Sequence, residues 1–291
     1  MYEEHFRLRE KPFSLLPNPE YLYLTEKHAA ALALLEYSLM SQAGFTVIVG
    51  EIGCGKTTLL RHLLNRGDSD VAMGFISNTH PLFGELLQWV LMAFGLDYSS
   101  ERKIDRYRTF VDFVTDRYAK RQRTLLAIDE AQNLAPETLE ELRMLSNINT
   151  EKGQALQLIL LGQPELLDTL RRPYLHQFAQ RIAVDFFIEP LDFDETRSYI
   201  RHRVAVAGGK PSIFRKSSFP LIYHHSRGIP RLINLLCDTA LVYGFATRRK
   251  TITAEIVEEV VRDKTSGRRL WDATVGGASG ARRGCTRQEP R

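Results

Sequence analysis

The run Gly50-Glu51-Ile52-Gly53-Cys54-Gly55-Lys56-Thr57 stands at a junction between two hydrophobic periods, and that junction restricts the possible folds more than any other feature. Before it, Phe45–Val49 is a β-branched apolar run of strand type; after it, Thr57 to Leu64 reads as a helix. Strand, glycine loop, helix is the context in which the pattern GxxxxGK[ST] has a mechanism, which a merely flexible glycine turn would not require. The glycines let backbone N–H groups curl around phosphate oxygens at a helix N-terminus. Lys56 adds a mobile positive charge, and the Thr57 hydroxyl is an oxygen ligand for Mg²⁺. Gly50, Glu51, Ile52, Gly53, Cys54, Gly55, Lys56, Thr57 and Thr58 are therefore expected to line a site for ATP with Mg²⁺.

A phosphate loop calls for acidic residues at the end of another buried strand, and Leu125-Leu126-Ala127-Ile128-Asp129-Glu130 supplies them. Asp129 is expected to hold Mg²⁺ through its water shell, and Glu130 to polarise the water that attacks the γ-phosphate. The run Leu156–Leu161 ends in Gly162-Gln163-Pro164, which places Gln163 where it can meet the γ-phosphate or the attacking water. Arg181 opens the next strand and is expected to complete a neighbouring copy's site, with Arg171 and Arg172 as lesser candidates; the competing reading is a solvated or salt-bridged arginine. Arg231 follows Gly228-Ile229-Pro230 in the first turn of a helix, where a cation opposes the helix dipole and needs an anion; ATP phosphate would serve. His224 and His225 have no metal-like partners and read as surface or core histidines.

Apolar runs at Phe45–Val49, Val71–Ile76, Thr124–Ile128, Leu156–Leu161 and Ile182–Ile188 alternate with helical patterns at Pro81–Phe94, Asp105–Arg121, Pro136–Asn147 and Pro164–Leu170. The expected fold is α/β: a parallel sheet flanked by helices, spanning residues 1–190 with its N-terminal segment. Beyond Pro190 only helical patterns remain, at Asp194–Ala207, Lys216–Ser226, Pro230–Phe245 and Ala254–Asp263, so residues 191–264 read as a small all-helical lid domain. Asp192 and Thr253 are expected N-caps, and Gly208-Gly209 a stop. Residues 265–291, rich in Gly, Ser, Arg and Thr, read as a disordered basic tail.

Net charge argues against a nucleic-acid-binding core. The formal charge of +4 is carried by six tail arginines set against Asp272 and Glu289, which leaves residues 1–264 neutral. A local basic stretch at Arg117, Lys120, Arg121 and Arg123 has the ordinary look of a solvated helix end. No segment reaches the apolar length of a membrane-spanning helix and no signal peptide opens the chain, so a cytoplasmic location is expected, at most peripheral at the inner membrane through partners. Cys54, Cys237 and Cys285 lack metal-like spacing and read as reduced thiols.

The motifs in order, Pro12-Phe13, Tyr21-Leu22-Tyr23-Leu24, GEIGCGKTT, IDEAQNL at Ile128–Leu134, LEELRMLSN at Leu139–Asn147, LLGQPEL at Leu160–Leu166, QFAQRI at Gln177–Ile182 and GIPRLIN at Gly228–Asn234, resemble the AAA+ ATPases related to general secretion pathway protein A. Within that family the chain looks closest to ATPases that accompany exosortase and exopolysaccharide-export systems. The resemblance covers residues 1–264 and implies a P-loop NTPase of AAA+ type. Lys56 and Thr57 would hold phosphate and metal, Asp129 and Glu130 would be the Walker B acids, Gln163 sensor 1, Arg181 an arginine finger and Arg231 sensor 2. It also implies self-association into a ring or filament and protein partners in an export or secretion apparatus. Two departures stand out: many AAA+ proteins carry Asn, Ser or Thr at sensor 1, and secretion-type relatives continue into a membrane span and a peptidoglycan-binding region absent from this sequence. Two other readings remain open: a DNA-binding regulator resembling the transposition ATPases, and a nucleotide-binding scaffold that hydrolyses negligibly alone.

Overall fold

The computed structural model describes residues 1–267 apart from 17, 66–69, 78–83 and 151–152. In chain order the elements are α1 (Glu3–Phe6), α2 (Glu26–Met40), β1 (Phe45–Gly50), α3 (Lys56–Asn65), β2 (Val71–Ile76), α4 (Leu86–Ala93), α5 (Lys103–Ala119), β3 (Arg123–Ile128) and α6 (Pro136–Leu145). A short hairpin, β4 (Asn149–Thr150) and β5 (Gly153–Gln154), leads to β6 (Leu156–Gly162), α7 (Pro164–Leu170), α8 (His176–Ala179) and β7 (Ile182–Ile188). Four longer helices follow: α9 (Phe193–Val206), α10 (Phe219–Ser226), α11 (Pro230–Ala246) and α12 (Ala254–Gly267). The chain divides into two compact units, Leu24–Pro190 and Met1–Tyr23 together with the chain from Leu191 onward.

Leu24–Pro190 is built on a five-stranded sheet of order β2-β3-β6-β1-β7, every neighbour parallel. β1 and β6 are buried at every position, because helices cover both faces of a parallel sheet; this is why they read as unbroken apolar runs. Edge strand β7 instead alternates, with Ala183, Asp185 and Phe187 exposed. The order sets β3, β6 and β1 side by side, in a register that pairs Val49 with Gly162 and Ile128 with Leu160. The C-terminal ends of these three strands therefore deliver Gly50, Asp129 and Gln163 to one edge of the sheet.

The expected helices are present with shifted ends. α4 begins at Leu86 rather than Pro81: Gly84 sits at φ 125°, Glu85 and Gln88 form a capping box, and residues 81–83 lie outside the described ones. α5 ends at Ala119 because Arg121 turns into the left-handed region at φ 59°. The stretch Lys216–Ser226 is divided into a 3₁₀ turn at Lys216–Ser218 and α10, with Pro220 in the first turn of α10. Helix α2 was not part of the alternating pattern; Thr25 caps it, accepting from the His28 amide.

The second unit has its own core, in which Tyr2, Phe6, Leu8 and Phe13 of the N-terminal segment pack with Ile200, Val204, Phe219, Leu236, Leu241 and Val257. The segment expected to accompany the sheet thus joins the helices. Arg203, buried in α9, explains how: its guanidinium donates to the carbonyls of Pro12 and Ser14 and to the Tyr199 hydroxyl, and lies over the Tyr21 ring. Asp192 caps α9 in a reciprocal capping box with Glu195, and Gly208 at φ 79° ends the helix. α12 runs to Gly267, past the expected start of the tail at 265; residues 268–291 lie outside the described residues.

Candidate functional site

Each part of the phosphate loop has a local cause. Gly50 ends β1 against β7, where a Cβ would lie 2.7 Å from the Ile188 carbonyl oxygen. Gly53 and Gly55 take φ of 86° and 96°, values that side-chain-bearing residues rarely adopt, and Gly55 leads directly into α3. Below the loop, α2 contributes His28, whose Nε2 lies 3.3 Å from the Cys54 carbonyl oxygen while Nδ1 lies 2.8 Å from Thr25 Oγ1. The Cys54 side chain faces inward at 1% exposure, and burial pushes its thiol up to about 11, so it is a neutral packing group.

Lys56 is 7% exposed and folds back on its own loop, donating to the carbonyls of Gly50 at 2.7 Å and Glu51 at 3.1 Å. Burial holds its ammonium below the usual lysine range, against the pull of Glu130, Asp129 and Glu51. A cation hydrogen-bonded to neutral carbonyls beside a helix N-terminus is matched to an incoming anion.

On the neighbouring strand ends, the Thr57 hydroxyl donates to Asp129 Oδ2 at 2.6 Å, and the Glu130 amide donates to Asp129 Oδ1 at 2.9 Å. A hydroxyl and a carboxylate in direct contact form the hard-oxygen donor set that Mg²⁺ takes from protein, so the residues present fit the metal. Glu130 adopts φ 54°, a left-handed conformation that costs a non-glycine residue on the order of 1 kcal/mol and turns the chain into a 3₁₀ segment at Ala131–Asn133. Its carboxylate is clamped: Oε2 accepts from Gln132 Nε2 at 2.6 Å and from Gln163 Nε2 at 3.2 Å. Gln132 Oε1 in turn accepts from the Gln163 amide at 3.0 Å, closing a three-residue network between the ends of β3 and β6.

The structure therefore brings Lys56, Thr57, Asp129, Glu130 and Gln163 together. Arg181 is not brought to them. Its guanidinium donates to Ser146 Oγ at 2.8 Å and to the Arg143 carbonyl at 3.3 Å, capping the C-terminal end of α6. Arg171 and Arg172 are exposed, one 3.8 Å from Asp168 and the other donating to the Tyr174 hydroxyl. Arg231 lies in the helical unit, exposed in the first turn of α11, a turn without an acidic residue, and forms no ion pair among the described residues. Two residues were missed. Gln132 stands in plain sight in the Asp129-Glu130-Ala131-Gln132 run, and its amide was the available signal. His28 left only the faint one of a threonine cap three residues earlier.

Residues 39–170 match the AAA domain family. The chain is 40% identical over 247 residues to General secretion pathway protein A of Aeromonas hydrophila, an alignment that takes in 84% of this chain and 45% of that protein. The chain thus spans less than half the length of this relative. Among solved structures, the Aeropyrum pernix ORC2 protein in its ADPNP–ADP complexes aligns with a TM-score of 0.64 at 18% identity, over 87% of this chain and 71% of that one. Cdc6p from Pyrobaculum aerophilum aligns with a TM-score of 0.64 at 16% identity, over 87% and 70% of the two chains. The RuvB Holliday junction branch migration motor of Thermotoga maritima aligns with a TM-score of 0.55 at 17% identity, over 87% and 74%. At these identities the structural neighbours show the fold alone, a parallel sheet flanked by helices and followed in the chain by a helical region, and the sequence relative shows similarity to general secretion pathway protein A over most of this chain.

Proposed function

We propose that this chain, an AAA-type protein related to general secretion pathway protein A, binds and hydrolyses Mg²⁺-ATP in an assembly of like subunits. The observation that carries the reading is the clamp on Glu130: a carboxylate fixed by two neutral amide donors, at the edge of the sheet that also holds Lys56, Thr57 and Asp129. Backbone amides from Gly50 to Thr58 and the Lys56 ammonium would hold the phosphates, and Thr57 with Asp129 would hold the metal. Mg²⁺, when bound, supplies charge neutralisation on the phosphate oxygens. Glu130 orients a water and takes up its proton, with Gln132 keeping the carboxylate from rotating away. Gln163 donates to that carboxylate in the free protein, so it can report on occupancy at the γ-phosphate position.

Arg181 would serve a neighbouring copy and Arg231 the bound nucleotide, and hydrolysis would drive assembly and work in a secretion or surface-polysaccharide export system, at the inner membrane through partners. Kinship with the Aeromonas hydrophila protein supports the secretion part of this reading. Among the described residues no helix is long and apolar enough to cross a membrane. The neutral charge of residues 1–264 gives the DNA-binding alternative no support.

The test mixes two inactive variants. Arg181→Ala retains its own Glu130 but offers no arginine to a neighbour, whereas Glu130→Gln offers the arginine but cannot hydrolyse. Shared sites predict that ATPase activity reappears on mixing and that the wild-type rate per subunit rises with protein concentration. If mixing restores nothing while Arg181→Ala alone is inactive, Arg181 acts only as the cap of α6 within its own chain. A flat wild-type rate unaffected by either change sinks the ATPase reading.

A further inference from the structure

The neutral sum over residues 1–264 conceals a separation of charge. Up to residue 264 the unit that joins the N-terminal segment to the helices carries sixteen Lys and Arg against twelve Asp and Glu, a net of +4, and the sheet unit carries the reverse, −4. Nine of those sixteen cations fall in three short stretches, 7–11, 210–216 and 248–250, which among them hold one carboxylate, that of Glu10. Close contacts tie the stretches to one another. The Arg9 amide donates to the Ala207 carbonyl at 2.8 Å, the Ile252 amide to the Ile213 carbonyl at 2.7 Å and the Arg215 amide to the Ile252 carbonyl at 2.9 Å, and Nε2 of His5 lies 2.8 Å from the Arg249 carbonyl oxygen.

All nine cations are exposed, and among the described residues none of them forms an ion pair. Glu10 accepts from the Tyr21 hydroxyl at 2.7 Å, and Glu3 is held by the N-terminal ammonium. Glu4 and Glu255, which flank the stretches in sequence, are exposed and pair with none of the nine. Like charges gathered without counter-charges repel one another, so their concentration weakens the unit that bears it and is useful only toward an anionic partner outside the chain.

Leu15 and Leu16 select the partner. They are 53% and 78% exposed and lie four and five residues beyond Lys11, in a loop rooted beside the basic stretches. Arg203 holds the Pro12 and Ser14 carbonyls, Phe13 is buried, and the bond from Tyr21 to Glu10 brings the chain back to where the loop began. A nucleic acid offers phosphates to the cations and bases to exposed rings, yet within the three stretches the one aromatic side chain, Phe214, is buried. It would also leave the leucines in water. An anionic bilayer takes both features, headgroup phosphates against the cations and acyl chains against the leucines, and firm peripheral binding needs such a pair of signals. We propose that this basic surface of the helical unit, together with the Leu15–Leu16 loop, binds an anionic lipid bilayer directly. Such contact needs no protein partner at the membrane and does not rest on nucleotide hydrolysis.

Sedimentation of the full chain with lipid vesicles tests this. At low salt the chain should pellet with vesicles of equimolar phosphatidylglycerol and phosphatidylcholine and stay in solution with phosphatidylcholine alone, and high salt should weaken the binding. Each Lys or Arg at an anionic surface changes the partition coefficient by about fivefold, so the triple variant Arg248→Ala, Arg249→Ala, Lys250→Ala should bind about a hundredfold more weakly. Leu15→Ser combined with Leu16→Ser should weaken binding by about tenfold. Both variants change exposed side chains and should keep the wild-type unfolding midpoint. Lys56→Ala, inactive as an ATPase on the reading above, should bind vesicles as wild type does, which separates the two readings. The six arginines among residues 268–291 are common to every variant, so undiminished binding by the triple variant assigns the contact to them and overturns the proposal. It is equally overturned if the anionic vesicles leave the wild-type chain in solution at low salt, if the leucine variant binds as tightly as wild type, if Lys56→Ala abolishes binding, or if duplex DNA captures the chain while the vesicles do not.

Discussion

Replacing Gln132 with methionine keeps the length of the side chain and removes both of its hydrogen bonds. One is the 2.6 Å donation to the Glu130 carboxylate, the other the acceptance from the Gln163 amide at 3.0 Å. A charge-assisted bond contributes roughly 1.5–3 kcal/mol and a neutral one about 1. All three residues are half-buried, which lets water replace part of both, so a stability loss of about 1–2 kcal/mol is expected. For a unit of this size that corresponds to a midpoint lower by about 3–6 °C. The kinetic effect should be larger. Glu130 retains Gln163 as a donor at 3.2 Å, so the base is loosened rather than lost, and kcat should fall by about 10–100-fold. The KM for ATP should hold steady because Lys56 and the loop amides are untouched. Steady-state ATPase assays at saturating Mg²⁺-ATP, paired with thermal unfolding, measure both. A variant with kcat within about twofold of wild type and a lowered midpoint would refute the positioning role and leave Gln132 as a structural link between β3 and β6.

Cys54 should resist iodoacetamide in the native protein at pH 8, since a thiol raised from 9.0 to about 11 carries about a hundredfold less thiolate; rapid native labelling followed by mass spectrometry would contradict its burial. The same shift has a sign in stability: the contribution is full below about pH 9 and is lost as pH rises toward about 11, measurable as a falling urea midpoint over that window. Gly228→Ala should destabilise the helical unit by about 3 kcal/mol or more, because φ is 74° and a Cβ would overlap the Leu191 carbonyl oxygen; a variant with an unchanged denaturant midpoint would show that the turn can relax. Arg203→Met removes donors to Pro12, Ser14 and Tyr199 and should cost on the order of 3 kcal/mol while exposing the N-terminal segment to protease. Unchanged cleavage within residues 1–23 would mean that Tyr2, Phe6 and Phe13 hold the segment unaided.

Much of the sheet and of the phosphate site was legible in the residues because both are governed by local rules. A strand buried on two faces must be continuously apolar, a phosphate loop needs glycines where no Cβ fits, and a metal needs hard oxygen at a strand end. Phe45–Val49, Gly53, Gly55 and Lys56 satisfy those rules within a few positions of one another, and Asp129 directly follows the apolar run of its own strand. The same logic placed Asp192 as a helix cap and Gly208 as a stop.

Other features depended on contacts between residues far apart in sequence, about which periodicity is silent. The N-terminal aromatics carry no mark of the core they enter; Arg203, 191 positions beyond Pro12, decides that they join the helices. Gln132 and Gln163 look like ordinary loop amides until the order β3-β6-β1 sets their strand ends together and makes them a clamp on Glu130. Arg181 reads as free to reach a neighbour, yet the α6 carbonyl end lies close enough to bind it. The strand, loop and motif chemistry was determined by the sequence itself, since period and φ preference act within a few residues. Which distant side chains share a site was decided only by tertiary packing.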